Sequence, residues 1–183
     1  MRTLLIALAL TSSAAAQTVV PVGPFRSVEL QNGGHVTVRY AATQRVTLLS
    51  GSPRCARVRV DDGQRLVINN TGCHGDHQRL EVEVLTPVVA AAAVSNGGRL
   101  ETDGAFPAQA ELEVHVEQGG MLDVRAIAAD VVDASVDSGG RIFTHARRTL
   151  TANVYSGGGI TYWGDPRVTQ SVQDGGAVMR GDD

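Results

Sequence analysis

The sequence predicts an all-β protein: a right-handed parallel β-solenoid, or β-helix-like stack, with a more antiparallel N-terminal β region. Three observations predict it. A Gly-Gly doublet recurs six times in the frame apolar-x-x-Gly-Gly-x-apolar. Apolar and polar residues alternate on both sides of the doublets, which is the period of a strand. The composition favours small strand formers, with 25 Val, 22 Ala and 21 Gly in 183 residues and only 4% aromatics.

The chain begins with one positive charge at Arg2, an apolar core from Leu4 to Leu10, and Ala14-Ala15-Ala16 before Gln17. Charge, core and small-residue site in that order predict a signal peptide over 1–16 and export to the periplasm or beyond. The longest later apolar run, Val88 to Val94, is too short to cross a bilayer. Residues 17–183 fit a single domain, divided into a β cap region at 17–87 and a repeat region at 88–183. All 16 basic residues are Arg, which excludes a P-loop, a Schiff-base lysine and pyridoxal chemistry. A net charge of −3, with no basic run interleaved with aromatics, argues against a nucleic-acid partner.

In the cap region, short alternating segments such as Val36/Val38/Tyr40 and Leu80/Val82/Val84 read as strands. Asn32-Gly33 and Asp62-Gly63 suit hairpin turns, so this part is expected to be antiparallel and to protect one end of the stack. Cys55 and Cys73 are the only cysteines, and an even count in an exported chain predicts one disulfide. A zinc site adding His74 and His77 would need a spacing that matches no standard finger.

From Gly97 onward the doublets are separated by 22, 20, 18 and 18 residues. Counting from the first glycine, positions −7, −5 and −3 read Leu112/Val114/Val116, Val132/Ala134/Val136 and Leu150/Ala152/Val154. Positions +3 and +5 include Leu122/Val124 and Ile160/Tyr162. Each repeat is therefore strand, glycine corner, strand, and repeats this short bury their apolar face only by stacking. The polar residue before each doublet (Asn32, Asn96, Gln118, Ser138, Ser156, Asp174) is expected to hydrogen-bond at the corner.

Gly23-Pro24-Phe25-Arg26-Ser27-Val28, the Gly-rich repeats ending Gly158-Gly159-Ile160-Thr161-Tyr162, and Trp163-Gly164-Asp165-Pro166 follow one another in a telling order. In this the chain resembles the auto-transporter adhesin "head GIN" domain family of exported bacterial proteins. The resemblance implies a β-solenoid-like fold and carries no catalytic residues over. Gly-Gly stands here where relatives often have Gly-Ser-Gly.

Any site is expected on the outward columns. Position −6 holds Glu113 and Asp133, position −2 holds Glu117 and Asp137, and His115 lies between them. Stacked acids repel, so either the side chains splay into water as a solvated acidic face, or a cation, arginine neighbours or a raised pKa compensates, hard oxygen ligands suiting Ca2+. Tyr155, Tyr162 and Trp163 gather near one turn as a candidate sugar-stacking platform, although Tyr162 falls on the inward phase and so part of the group is expected in core or end packing; Arg180-Gly181-Asp182 reproduces a cell-attachment tripeptide. No Gly-x-Ser-x-Gly or His-Glu-x-x-His motif occurs. The reading is a non-enzymatic exported domain that binds an envelope polysaccharide or a protein. The alternatives are a carbohydrate-active enzyme using the acidic face with a cation, and a structural element that self-associates through its end.

Overall fold

A computed structural model describes residues 17–61, 64–71 and 80–182. The signal segment 1–16, the Asp62-Gly63 turn, Cys73, His74 and His77 lie outside the described residues. The described chain holds fifteen strands and no helix, as an all-β reading requires. These are β1 (Thr18–Val20), β2 (Ser27–Gln31), β3 (His35–Tyr40), β4 (Arg45–Ser50), β5 (Ala56–Asp61), β6 (Arg65–Asn70), β7 (Glu81–Thr86) and β8 (Ala91–Ser95). They continue with β9 (Arg99–Asp103), β10 (Gln109–Glu117), β11 (Met121–Val136), β12 (Arg141–Val154), β13 (Gly159–Trp163), β14 (Arg167–Val172) and β15 (Ala177–Arg180). All belong to one mixed sheet.

The strands before and after the glycine corners fall into two ladders. The first runs β6, β2, β8, β10, the second half of β11, the second half of β12, and β14, every step parallel. The second runs β7, β3, β9, the first half of β11, the first half of β12, β13 and β15, again parallel throughout. Register follows the sequence frame. Leu30, Val94, Val116, Val136, Val154 and Val172 stand in one line. Val36, Leu100, Leu122, Ile142, Ile160 and Val178 stand in another.

The first five members of each line are fully buried. Burying one such side chain contributes about 1.5–3 kcal/mol, so the apolar column is what holds successive layers together. Val172 in the last layer is 40% exposed, because β14 pairs on one side only. Length differences between repeats are taken up away from the glycines. β11 runs through the second bend, with register shifts between Asp123 and Ala128 and between Ala129 and Val131.

The N-terminal region departs from expectation in one respect. The antiparallel pairs, β1 with β4, β4 with β7, and β5 with β6, all lie there. Yet β2, β3, β6 and β7 join the parallel ladders, and β2/β3 sit between β6/β7 and β8/β9. The physical reason is the corner. Leu30 to Val36 carries the same doublet frame as the later repeats and so takes the same register. Only β1, β4 and β5 act as an antiparallel border.

Each corner is left-handed. Asn32, Asn96, Gln118 and Asp174 have φ between 46° and 62°, whereas the two Ser copies stay out of that region. Asn and Asp tolerate it better than Ser does, which explains the choice of residue before the doublet. Part of the column is also linked by side-chain bonds: Asn96 Nδ2 donates to Asn32 Oδ1 (3.2 Å), and Asn32 Nδ2 to Asn69 Oδ1 (3.0 Å).

The two glycines of a doublet differ. A Cβ on Gly119 would meet nothing within 4 Å, whereas one on Gly120 would lie 2.7 Å from Val94 Cγ1 and 3.1 Å from Gly98 O. Both have positive φ. Gly119→Ala is therefore expected to cost about 1–2 kcal/mol, from the backbone alone. Gly120→Ala should cost about 1–3 kcal/mol more, because packed backbone must also move. Urea unfolding of the two variants checks the ranking; equal losses would contradict the close-approach argument.

Candidate functional site

Glu113, His115 and Glu117 project from the outward phase of β10, between buried Leu112, Val114 and Val116. Parallel pairing brings Glu113 opposite Asp133 and His115 opposite Ser135. His115 Nδ1 is 2.7 Å from Ser135 Oγ, and its Nε2 is 3.7 Å from Asp137 Oδ2. The predicted residues thus share one face, and Glu113 and Asp133 are in register. They do not converge. Among the described residues no group of three or more His, Cys, Asp or Glu side chains is placed to hold a metal ion. Strand register explains this: neighbouring outward side chains stand side by side on a flat ladder and do not close around a point.

What the acidic columns border is a trough. On β8 the outward positions are Ala91 and Ala93, flanked by Ser27 and Glu29 of β2 and by Glu113 and His115 of β10. Short side chains on one strand between longer ones on both neighbours leave a depression of about 630 Å³. Glu29, Arg65, Glu113, His115 and Glu117 form its sides. The Glu29 wall is fixed: its carboxylate pairs with Arg65 Nε at 3.2 Å and accepts from Gln31 Nε2 at 2.5 Å. Carboxylates beside a non-polar floor can accept hydrogen bonds from hydroxyl or ammonium groups laid along the strand.

This trough was not anticipated from the sequence. The Ala90–Ala93 run is visible there, but its flanks come from residues more than sixty positions away on one side.

The aromatic platform does not form. Tyr162 packs against the core, Tyr155 is exposed, and Trp163 stacks with the Arg125 guanidinium 4.8 Å from its ring centre. The backbone of Arg180-Gly181-Asp182 is held against β13: Gly181 N donates to Tyr162 O (2.8 Å) and Trp163 Nε1 to Asp182 O (3.2 Å), with the Arg180 and Asp182 side chains exposed.

Residues 108–166 match the family described as "Putative auto-transporter adhesin, head GIN domain", in keeping with the resemblance read from the sequence. The chain is similar to the crystal structure of a "putative adhesin" from Bacteroides fragilis NCTC 9343. That likeness has 14% identity and a TM-score of 0.55, over 92% of this chain and 97% of that one. Two weaker likenesses are to a "putative adhesin" from Parabacteroides merdae ATCC 43184 and a "Putative lipid binding protein" from Parabacteroides distasonis ATCC 8503. The first has 13% identity and a TM-score of 0.41, the second 12% and 0.39; each spans 91% of this chain and 96% of its own. At these identities the Bacteroides fragilis structure speaks for the fold alone. No curated protein matches the chain.

Direct opposition of Glu113 and Asp133 predicts mutual repulsion at neutral pH. Glu113→Gln and Asp133→Asn should each raise the melting temperature, and the double variant should gain less than the sum. Additive gains in a thermal double-mutant cycle would show that the two carboxylates do not sense each other.

Proposed function

We propose that the protein is an exported, non-enzymatic binding domain: a single β domain over residues 17–183, with a cap region at 17–87 and a right-handed parallel β-solenoid at 88–183, that adheres to a polysaccharide through its outward columns. The observation that carries this reading is the trough over Ala91 and Ala93, walled by Glu29, Glu113, His115 and Glu117. An extended glycan is the kind of ligand that lies along such a strand and offers hydroxyl donors to its carboxylates. The family matched by residues 108–166 supports adhesion. The order of Arg2, Leu4–Leu10 and Ala14–Ala16 supports export.

The same face holds a second arrangement, distinct from the cation-dependent carbohydrate enzyme read from the sequence: the line Ser135, His115, Asp137, which would suit acyl transfer. It lacks support where acyl chemistry most needs it. β11 pairs along this stretch with β10 on one side and β12 on the other, so its backbone N–H groups are spent in the ladder. A developing oxyanion beside Ser135 would find no free pair of backbone donors there.

Two measurements test the reading. A glycan array should identify polysaccharides bound by the wild-type protein and lost in Ala93→Trp, whose indole fills the trough from an outward position. Unchanged binding by that variant would remove the trough from the reading. Cys55 is proposed to pair with Cys73, which in the chain-entropy view contributes about 3 kcal/mol. Intact mass of the exported protein should fall short of the dithiol form by two hydrogens, and a free-thiol mass would overturn the pairing.

A further inference from the structure

A second concavity, of about 640 Å³, lies on the other ladder and has no part in the trough reading. Its shape comes from the second bend. Gly164 has φ +98°, and a Cβ there would stand 2.1 Å from Ala146 O, so the chain turns where only glycine fits. Next to that bend, His145 and Trp163 are register partners on β12 and β13. Asp123 and Phe143 are partners one position earlier along the outward face.

Arg125 is locked above these residues. Its Nε and Nη2 donate to the two oxygens of Asp123 at 2.9 and 2.6 Å. Its guanidinium carbon lies 5.6 Å from the Phe143 ring centre and 4.8 Å from that of Trp163. A bidentate partner and two rings hold the group in one orientation, so little side-chain entropy is left to lose on binding. Nη1 has no acceptor among the described residues. Two more donors line the cleft. His145 has no hydrogen-bond or ion-pair partner among the described residues. Arg180 has only Asp165 at 3.5 Å, a carboxylate that is 95% exposed and holds its partner weakly in water. The sole carboxylate of the lining, Asp123, is already occupied by Arg125. Arg125, Arg180 and His145 thus turn donors toward the recess; Asp123 is held by Arg125, and a bound carboxylate competes only with the exposed Asp165 for Arg180.

We propose that this cleft, bounded by Arg125, His145, Trp163 and Arg180, binds the carboxylate of a uronic acid residue in an acidic polysaccharide. The arginine forks match a planar carboxylate, and the exposed edges of Trp163 and His145 provide apolar and donor contacts for a hydroxylated ring. A sugar acid meets the arginine forks and the ring edges side by side; β12 and β13 beneath are both paired on two sides, while β15, which carries Arg180 at the rim, pairs with β13 alone.

The test is calorimetric titration of the full mature protein with galacturonate and mannuronate trisaccharides, with neutral galactotriose and with acetate. At least one uronate trisaccharide should bind, more weakly as salt is raised. Galactotriose and acetate should each bind at least about tenfold more weakly. Arg180→Gln and His145→Gln sit at the exposed rim and should each weaken uronate binding about tenfold, the loss of one charge-assisted contact, with the melting temperature unchanged. Ala93→Trp should leave uronate binding intact, which separates this cleft from the trough. Binding of neither uronate overturns the proposal. So does acetate binding as tightly as the trisaccharides, or uronate binding that is indifferent to both rim variants.

Discussion

Backbone meets backbone at the glycine corners, and the rest of the architecture is conditional on that contact. The second glycines of the four middle doublets, Gly98, Gly120, Gly140 and Gly158, lie against the doublet of the preceding layer: a Cβ on Gly140 would be 3.0 Å from Gly120 O, and one on Gly158 would be 2.6 Å from Gly140 O. The same places carry interlayer hydrogen bonds, from Met121 N to Gly98 O, Arg141 N to Gly120 O, and Gly159 N to Gly140 O. A side chain there would hold the layers apart and lift the flanking apolar lines out of register. Because period-two strands show the opposite face after a slip of one residue, register at the corner decides which residues the core receives.

With the corner fixed and the inward line filled by Val, Leu and Ile, the outward columns are free to differ from layer to layer. Both recesses arise from that freedom, by different routes. Over β8 the outward residues are merely short, so depth is made by the neighbours. Beside Gly164 the chain itself bends inward, and the depth belongs to the backbone. The first is walled by carboxylates, the second lined by guanidinium groups.

The repeat part of this organisation was legible because its cause is local. Doublet spacing, the period of two and the inward identity of Leu112 to Ile160 can each be read within a window of about twenty residues. The place of β2 and β3 was not legible. Their register partners on β8 and β9 lie 64 positions later, and the intervening β4–β7 segment contains strands of the same alternating character. The trough was hidden for the same reason, since Glu29 becomes a neighbour of Ala93 only through that pairing. Among the aromatic residues, the inward phase of Tyr162 was legible and the partner of Trp163 was not. Tyr155, Tyr162 and Trp163 are close in sequence, but a corner and a strand's alternation send them to three separate environments. Trp163 finds its partner in Arg125, two layers back in the chain. The acidic columns were placed correctly, and the flatness of a ladder explains why they form a wall and no cage.

The out-of-order layer also bears on how the chain reaches its native state. Each contact between later repeats closes a loop of 18 to 22 residues, whereas seating β2 on β8 closes one of 64. Loop-closure entropy makes the longer step dearer by about 1 kcal/mol, before any apolar contact offsets it. A stack built only of consecutive repeats could grow from either end, one layer at a time. Here the layer of β2 and β3 gains its full contacts only when β8/β9 on one side and β6/β7 on the other are both at hand. Relative contact order is thereby concentrated in the N-terminal half, which makes that half the slow part of assembly although it is the first part to be synthesised.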